Sequence, residues 1–229
     1  MKVMGHRGAA GLALENTIDS FEIAKIIGVD AIELDVHVTK DDKLVVIHDS
    51  NLSRVASVNR NVKSLSYREL KKIKLVDGKS YVPKLEEVLS VTDNLPLFIE
   101  IKSEGCEKLL DHIIRNNKNR DISVVSFKHS ELKKLRKLNK DIKLYATEHT
   151  NPVEIIQFAR SNAMNGIGLN HWLLNPLTYF LARRSKLDIF VYTVNSKLIV
   201  NIIKLLYPQV IICTDHPEKF ITNRALPEQ

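Results

Sequence analysis

Two periodicities alternate along the chain. Short runs rich in β-branched residues read as strands: KVMG at 2–5, AIELDV at 31–36, PLFIEI at 96–101, ISVVSF at 122–127, KLYA at 143–146, GIGLN at 166–170, IFVYTV at 189–194 and VIICT at 210–214. Amphipathic stretches with helical spacing separate most of them. The first runs from Thr17 to Ile27, with Phe21, Ala24 and Ile27 on one face, and others lie at about 105–116, 129–138, 152–162, 175–185, 196–206 and 216–222. Strands alternating with helices predict an α/β fold with parallel pairing, because parallel neighbours require a crossover.

One interval departs from this rhythm. About 60 residues separate AIELDV from PLFIEI, and they hold an additional strand, LVVIH at 44–48, behind the turn KDDK. A hairpin is expected there. Farther on, Ser66 and Glu69 have capping-box spacing before the helical YRELKKI, and Pro83 precedes the short helix LEEVL. The segment at about 49–82 therefore reads as an insertion in one domain spanning 1–229, with only the tail ALPEQ frayed.

Composition narrows the class. Hydrophobic residues make up 44% and charged residues 27% of 229, and 8 Gly with 7 Pro are too few for a linker-rich chain. Two cysteines, Cys106 and Cys213, are too sparse for a disulfide scaffold. No apolar run reaches the roughly 20 residues that cross a bilayer, and no signal-peptide stretch precedes the polar residues of MKVMGHRG. A cytoplasmic protein without stable membrane insertion is expected. The excess of 34 basic over 27 acidic residues gives +7. It falls in helix-like stretches without interleaved aromatics, so it is read as helix outer faces rather than a nucleic-acid surface, and it also suits an acidic small substrate.

The chemistry lies in how the strands end. Gly5-His6-Arg7, Glu33-Leu34-Asp35, Glu100-Ile101-Lys102, Ser126, Asn170, Asn195 and Thr214-Asp215 all stand at C-terminal strand ends. In a closed parallel barrel those ends share one rim, where active sites are built. Glu33 and Asp35 are two apart and point to the same face of a strand. With Glu100 they would repel one another unless a positive group lies between them. A hard divalent cation, Mg²⁺ or Ca²⁺, is one answer, and salt bridges to Arg7 and Lys102 are the other. His6 and His48 point to the same mouth and suit acid–base chemistry, while Arg7 and Lys102 suit a phosphate. His37, His112, His129, His149 and His216 are read as structural.

The ordered set Gly5-His6-Arg7-Gly8, Glu15-Asn16-Thr17, Glu33-Leu34-Asp35, His48-Asp49 and Glu100-Ile101-Lys102 resembles the glycerophosphodiester phosphodiesterase family, with further echoes in Val125-Ser126-Phe127, Tyr192-Thr193-Val194-Asn195 and Thr214-Asp215-His216-Pro217. The resemblance implies a TIM barrel with a small insertion after the second strand, and hydrolysis of glycerophosphodiesters to glycerol 3-phosphate and an alcohol. It implies metal ligands at Glu33, Asp35 and Glu100, an acid–base pair at His6 and His48, and phosphate contacts at Arg7 and Lys102. Glu15 and Asn16 are expected to order the first loop beside the metal site, with helix capping near Thr17 as their alternative role. Leu14, Lys84 and Tyr192 depart from the family's usual Pro, Thr and Trp, which bears on loop shape and pocket lining. Tyr192 keeps an aromatic wall, and Trp172 is expected either to line the mouth or to pack. The rival readings are a lysophospholipase D acting on lysophospholipids and a non-catalytic barrel that binds phosphate ligands.

Overall fold

The computed structural model describes residues 1–221. Eight parallel strands close on themselves: β1 (Val3–Gly5), β2 (Ala31–Val38), β4 (Leu97–Ile101), β5 (Ile122–Ser126), β6 (Lys143–Glu148), β7 (Gly166–Asn170), β8 (Asp188–Tyr192) and β9 (Ile211–Thr214). Closure comes from β1, which pairs with both β2 and β9. This is the TIM barrel expected. The additional strand β3 (Leu44–Val46) lies outside the barrel and pairs antiparallel with β2, Val36 facing Val46, which is the hairpin read from KDDK. Pairing continues one residue further, where the Ile47 amide donates to the Asp35 carbonyl at 2.9 Å. Beyond the ladder, the His48 carbonyl accepts from the His37 ring at 3.0 Å.

The helices are α1 (Ile18–Ile27), α2 (Ser53–Ala56), α3 (Tyr67–Leu70), α4 (Leu85–Val91), α5 (Glu107–Asn116), α6 (His129–Leu138), α7 (Pro152–Ser161), α8 (Pro176–Arg184) and α9 (Lys197–Leu206). Thr17 is the N-cap of α1, its hydroxyl accepting from the Ser20 amide. Two expectations shorten. YRELKKI keeps its Ser66–Glu69 capping box but is helical only to Leu70, after which Lys72 and Ile73 donate to carbonyls three residues back. The helix expected at 216–222 is a 3₁₀ turn over Pro217–Lys219; Thr222 and the tail ALPEQ lie outside the described residues. Within the insertion, Leu52, Val55, Val62, Leu65, Leu70 and Leu75 gather into a small core of their own.

Strand alternation divides the apolar side chains into two layers. Ile32, Leu34, Ile99, Val124 and Ile189 face the helices. Met4, Ala31, Phe98, Val125, Tyr145, Phe190 and Cys213 form a separate cluster that fills the barrel. Three rings dominate it, with Phe98 5.0 Å from Tyr145 and 5.8 Å from Phe190 between centroids. They fit because β7 contributes glycines on its inward positions. A Cβ on Gly166 would stand 2.4 Å from the Tyr145 ring, and one on Gly168 2.2 Å from the Phe190 ring. This packed floor supports everything at the rim above it.

Candidate active site

Apart from Arg7, His48 and Thr193, the side chains at the mouth continue inward-facing rows of the barrel cluster by a period of two. Met4 leads to His6, Ala31 to Glu33 and Asp35, Phe98 to Glu100 and Lys102, Val125 to Phe127, Tyr145 to Thr147 and His149, Phe190 to Tyr192, and Cys213 to Asp215. Register then sets the neighbours. Asp35 faces Glu100 across β2 and β4, and Gly5 faces both Ile32 and Thr214, which puts His6 beside Glu33 and Asp215. A cavity of about 220 Å³ opens here, walled by His6, Arg7, His48, Lys102 and Tyr192 and reaching Glu33 and Glu100.

Carboxylate oxygens of Glu33, Asp35 and Glu100 lie within 4.8 Å of one another, and Asp35 is fully buried. Burial first, and repulsion from Asp35 and Glu100 second, push the Glu33 carboxyl well above its usual range. Burial and Asp35 likewise push Glu100 up to about 7, against the pull of Lys102. Asp35 goes the other way: burial would raise it, but Lys102, Arg7 and His48 together hold it below its ordinary value. The two cations proposed as salt-bridge partners are both present. Lys102 Nζ is 2.9 Å from Glu100 Oε1 and 3.4 Å from Asp35 Oδ1, and Arg7 Nε is 3.2 Å from Asp35 Oδ2. They do not satisfy the trio, since among the described residues Asp35 Oδ1 has no hydrogen bond and Glu33 accepts only the Arg7 amide, at 3.0 Å. Three crowded carboxylates with a bare buried oxygen fit a hard cation, and the all-oxygen set is the one Mg²⁺ or Ca²⁺ prefers.

Each candidate imidazole has a carboxylate behind it. His6 Nδ1 is 2.6 Å from Asp215 Oδ1, and His48 Nδ1 is 2.6 Å from Asp49 Oδ1. Burial would raise Asp49, but hydrogen bonds from Arg54 and His48 bring its carboxyl down to about 2. Asp215, also against its burial, is held low by the hydrogen bond and charge of His6 and by Asn195. Ionised carboxylates only accept, so both Nδ1 atoms carry the proton and both Nε2 atoms are left for chemistry. His6 Nε2 lies 3.9 Å from Glu33 Oε2. Burial lowers the pKa of His48, only partly offset by Asp35 and Asp49.

The other expected residues occupy different stations. Asn16 is buried and does not reach the cavity; its amide donates to Asp35 Oδ2 at 2.9 Å and its carbonyl accepts the Asp35 amide. Glu15 accepts from Arg7 at 2.9 Å and from both Arg54 Nη atoms at 2.8 Å, so it braces the arginine instead of facing the cavity. Thr17, not this pair, caps the helix. Tyr192 lines the cavity and donates its hydroxyl to the Glu148 carbonyl at 2.9 Å. Trp172 does not line it: it stands in the 3₁₀ turn after β7 and is 77% exposed.

The sequence pattern does not mark Asp49, Arg54, Asn195 or Asp215 as supports of the histidines, and it gives His149 a structural role. His149 is part of the cavity wall, stacked on Phe127 at 4.2 Å. Strand β6 reaches Glu148, beyond the apolar KLYA, and the parity of Tyr145 carried to Thr147 and His149 is the signal that would have found it.

Comparison with known proteins agrees with this geometry. The profile of the glycerophosphoryl diester phosphodiesterase family matches residues 6–219. The chain is 42% identical over 113 residues to the human protein named lysophospholipase D GDPD1, covering 44% of this chain and 36% of that protein. It thus spans about a third of that relative, and between 35% and 60% of three others of comparable similarity. A glycerophosphodiester phosphodiesterase of Caldanaerobacter subterraneus is 30% identical over 211 residues, covering 85% of this chain and 86% of the relative. A phosphodiesterase of Oleispira antarctica, solved in complex with the product sn-glycerol-3-phosphate, superposes with a TM-score of 0.89 at 20% identity, covering 96% of this chain and 94% of that one. The chain belongs to the glycerophosphoryl diester phosphodiesterase family.

Proposed function

We propose that this protein hydrolyses glycerophosphodiesters, releasing sn-glycerol 3-phosphate and an alcohol, with a divalent cation held by Glu33, Asp35 and Glu100. The observation that carries the reading is the convergence on one cavity of two carboxylate-backed imidazoles, the acidic trio and the cations of Arg7 and Lys102. A neighbour of the same fold was captured with that phosphate product, which supports the choice of substrate.

When bound, the cation supplies Lewis-acid stabilisation of charge on the phosphate oxygens. The protein's own groups do the rest. Arg7, fixed by Glu15 and Asp35, and Lys102, fixed by Glu100, orient the phosphate and offset its negative charge. One Nε2 of the His6 and His48 pair, unprotonated, takes the proton of the attacking hydroxyl, while the other ring enters the step as imidazolium and gives its Nε2 proton to the oxygen that leaves phosphorus; exchange with water restores both. The P–O bond to the alcohol breaks as that to the nucleophile forms, and one water is consumed overall. Asp215 and Asp49 hold the two rings in the tautomer this needs and stabilise the imidazolium that forms.

Cleavage of lysophospholipids is a second reading, favoured by the segment shared with the human relative named for that activity. Release of the headgroup alcohol from a panel of glycerophosphodiesters and lysophospholipids, with glycerol 3-phosphate as the co-product of the former and lysophosphatidate of the latter, tests both with Mg²⁺, with Ca²⁺ and in EDTA. Turnover of the small diesters that EDTA abolishes is expected. Turnover of lysophospholipids alone selects the second reading, and no turnover with either ion removes both.

A further inference from the structure

The outer faces of the barrel helices are mostly polar, as on α6, where Lys133, Lys134 and Lys137 meet solvent. Helix α9 is built differently. Seven of its ten residues, KLIVNIIKLL, are apolar, yet only Val200 and Ile203 are buried. Leu198, Ile202 and Leu205 follow the i, i+4, i+7 spacing of one stripe, opposite the buried pair, with exposures of 70%, 46% and 80%. A helix apolar on both sides normally has something covering each of them. Exposed apolar side chains also stand on α8, where Leu177 and Phe180 are 60% and 57% exposed. Tyr179 of α8 meets Tyr207, the C-cap of α9, at 5.1 Å between ring centroids, which brings the two elements together. Exposed Trp172 stands just before α8, at the end nearer the barrel mouth.

The charge around this face has one sign. From 171 to 210 the chain carries five Arg and Lys residues and a single acid, Asp188. Arg184, Lys186, Lys197 and Lys204 are all exposed. An isologous contact with a second copy would set these cations against themselves. Apolar side chains ringed by Lys and Arg, with a Trp at the margin, are instead the complement of a lipid surface with anionic headgroups. No helix among the described residues is long and apolar enough to cross a membrane, so the contact is an interfacial one.

We propose that the α8–α9 face is a docking surface for anionic lipid bilayers. Docking there sets the mouth beside the headgroups: His171, whose ring packs against Trp172 at 4.7 Å, reaches the Tyr192 carbonyl at 3.4 Å, and Tyr192 is part of the cavity wall. Binding at this face does not depend on the chemistry at the mouth.

Flotation of the full chain with vesicles tests it, using phosphatidylcholine alone or with about 30 mol % phosphatidylserine. Binding to the anionic vesicles, weakened by salt, is expected. The triple variant Leu198→Gln, Ile202→Gln and Leu205→Gln is expected to lower the bound fraction by about tenfold or more. Its melting temperature and its hydrolysis of a small soluble diester should stay at wild-type levels, because the three side chains face solvent. Lys197→Glu with Lys204→Glu is expected to give a similar loss without altering the apolar stripe. Absence of flotation, equal flotation with pure phosphatidylcholine, or wild-type binding by both variants overturns the proposal. So does a wild-type dimer in sedimentation equilibrium that the triple variant converts to monomer, which would assign the face to a second copy.

Discussion

His6 Nδ1 and Asp215 Oδ1 lie 2.6 Å apart although 209 residues separate them, because β1 and β9 are neighbours and Gly5 faces Thr214. Asn195 holds the other oxygen of Asp215 at 2.7 Å, so the carboxylate is fixed from both sides. Asp215→Asn keeps the shape but offers Nδ1–H an amide that can donate as well as accept, which releases the tautomer. Turnover is expected to fall by about 10²-fold or more, with a melting temperature close to wild type. Steady-state kinetics beside a thermal melt checks it; turnover within a factor of about three would remove Asp215 from the positioning of His6.

The two imidazoles themselves carry larger effects. General acid–base groups contribute typically about 10² to 10⁴ in rate, so His6→Ala and His48→Ala are each expected to lose that much in kcat. Both side chains border an open cavity rather than the core, so folding should survive. The double variant is expected to be scarcely worse than either single one, since the two groups act in one proton-transfer cycle. Multiplicative losses would argue that they act independently.

How much of this was legible beforehand depends on the range of the interaction. All eight barrel strands and the hairpin strand follow from short apolar runs rich in β-branched residues, which a ladder buried on both faces enforces. The gathering of Glu33, Asp35 and Glu100 was also accessible, because strand parity and a common rim are local and topological facts. The pairing of Asp215 with His6 was not, because it needs the register between the first and last strands. Trp172 illustrates the converse. A position just past a strand end suggests the mouth, but Asn170 caps the following 3₁₀ turn and carries the indole outward.

The acidic trio makes a prediction about stability. Burial and mutual repulsion make Glu33 and Glu100 resist ionisation at neutral pH, so replacing one by its amide should stabilise the metal-free protein, while removing a ligand should abolish the response to the ion. Glu33→Gln keeps an acceptor for the Arg7 amide. Its melting temperature in EDTA is expected to rise by a few degrees, of the order of 1 kcal/mol. Wild-type protein is expected to gain about 2.7 kcal/mol from Mg²⁺ or Ca²⁺ at a hundredfold excess over Kd, and the variant little. Thermal melts with and without each ion decide it; a wild type indifferent to both ions counts against the site.

Glu87 on α4 ties the insertion to the barrel. It accepts from the Tyr67 hydroxyl, from the Lys84 amide at 2.8 Å and from Lys71 at 2.9 Å. Burial would raise its carboxyl, but the hydrogen bonds from Tyr67, Lys84 and Lys71 outweigh that and bring it down to about 2. A folded-state pKa below the ordinary carboxylate value stabilises at neutral pH and ceases to do so as pH falls from about 4.5 toward 2. Glu87→Gln should therefore cost about 1 to 2 kcal/mol at pH 7, allowing for its partial contact with solvent. The gap to wild type should close as pH drops through that window. Urea unfolding at several pH values measures it, and a gap that stays constant would place the effect in packing.

The barrel floor offers a test of packing. A methyl on Gly168 would sit 2.2 Å from Phe190 Cζ and 2.5 Å from the Thr147 methyl, inside a close-packed layer. Overpacking of this kind typically costs about 1 to 3 kcal/mol, and Gly168→Ala is expected at the upper end because neighbours on two strands must move. Phe190→Leu removes the far edge of the ring and leaves a void, costing about 1 to 3 kcal/mol alone. Combined, each change relieves the other: the methyl enters space the ring has vacated. The double variant should therefore be more stable than the sum of the two losses predicts, by about 1 kcal/mol or more in a double-mutant cycle. Simple additivity in chemical denaturation would mean that the inward glycines of β7 are not what admits the aromatic floor on which the rim residues stand.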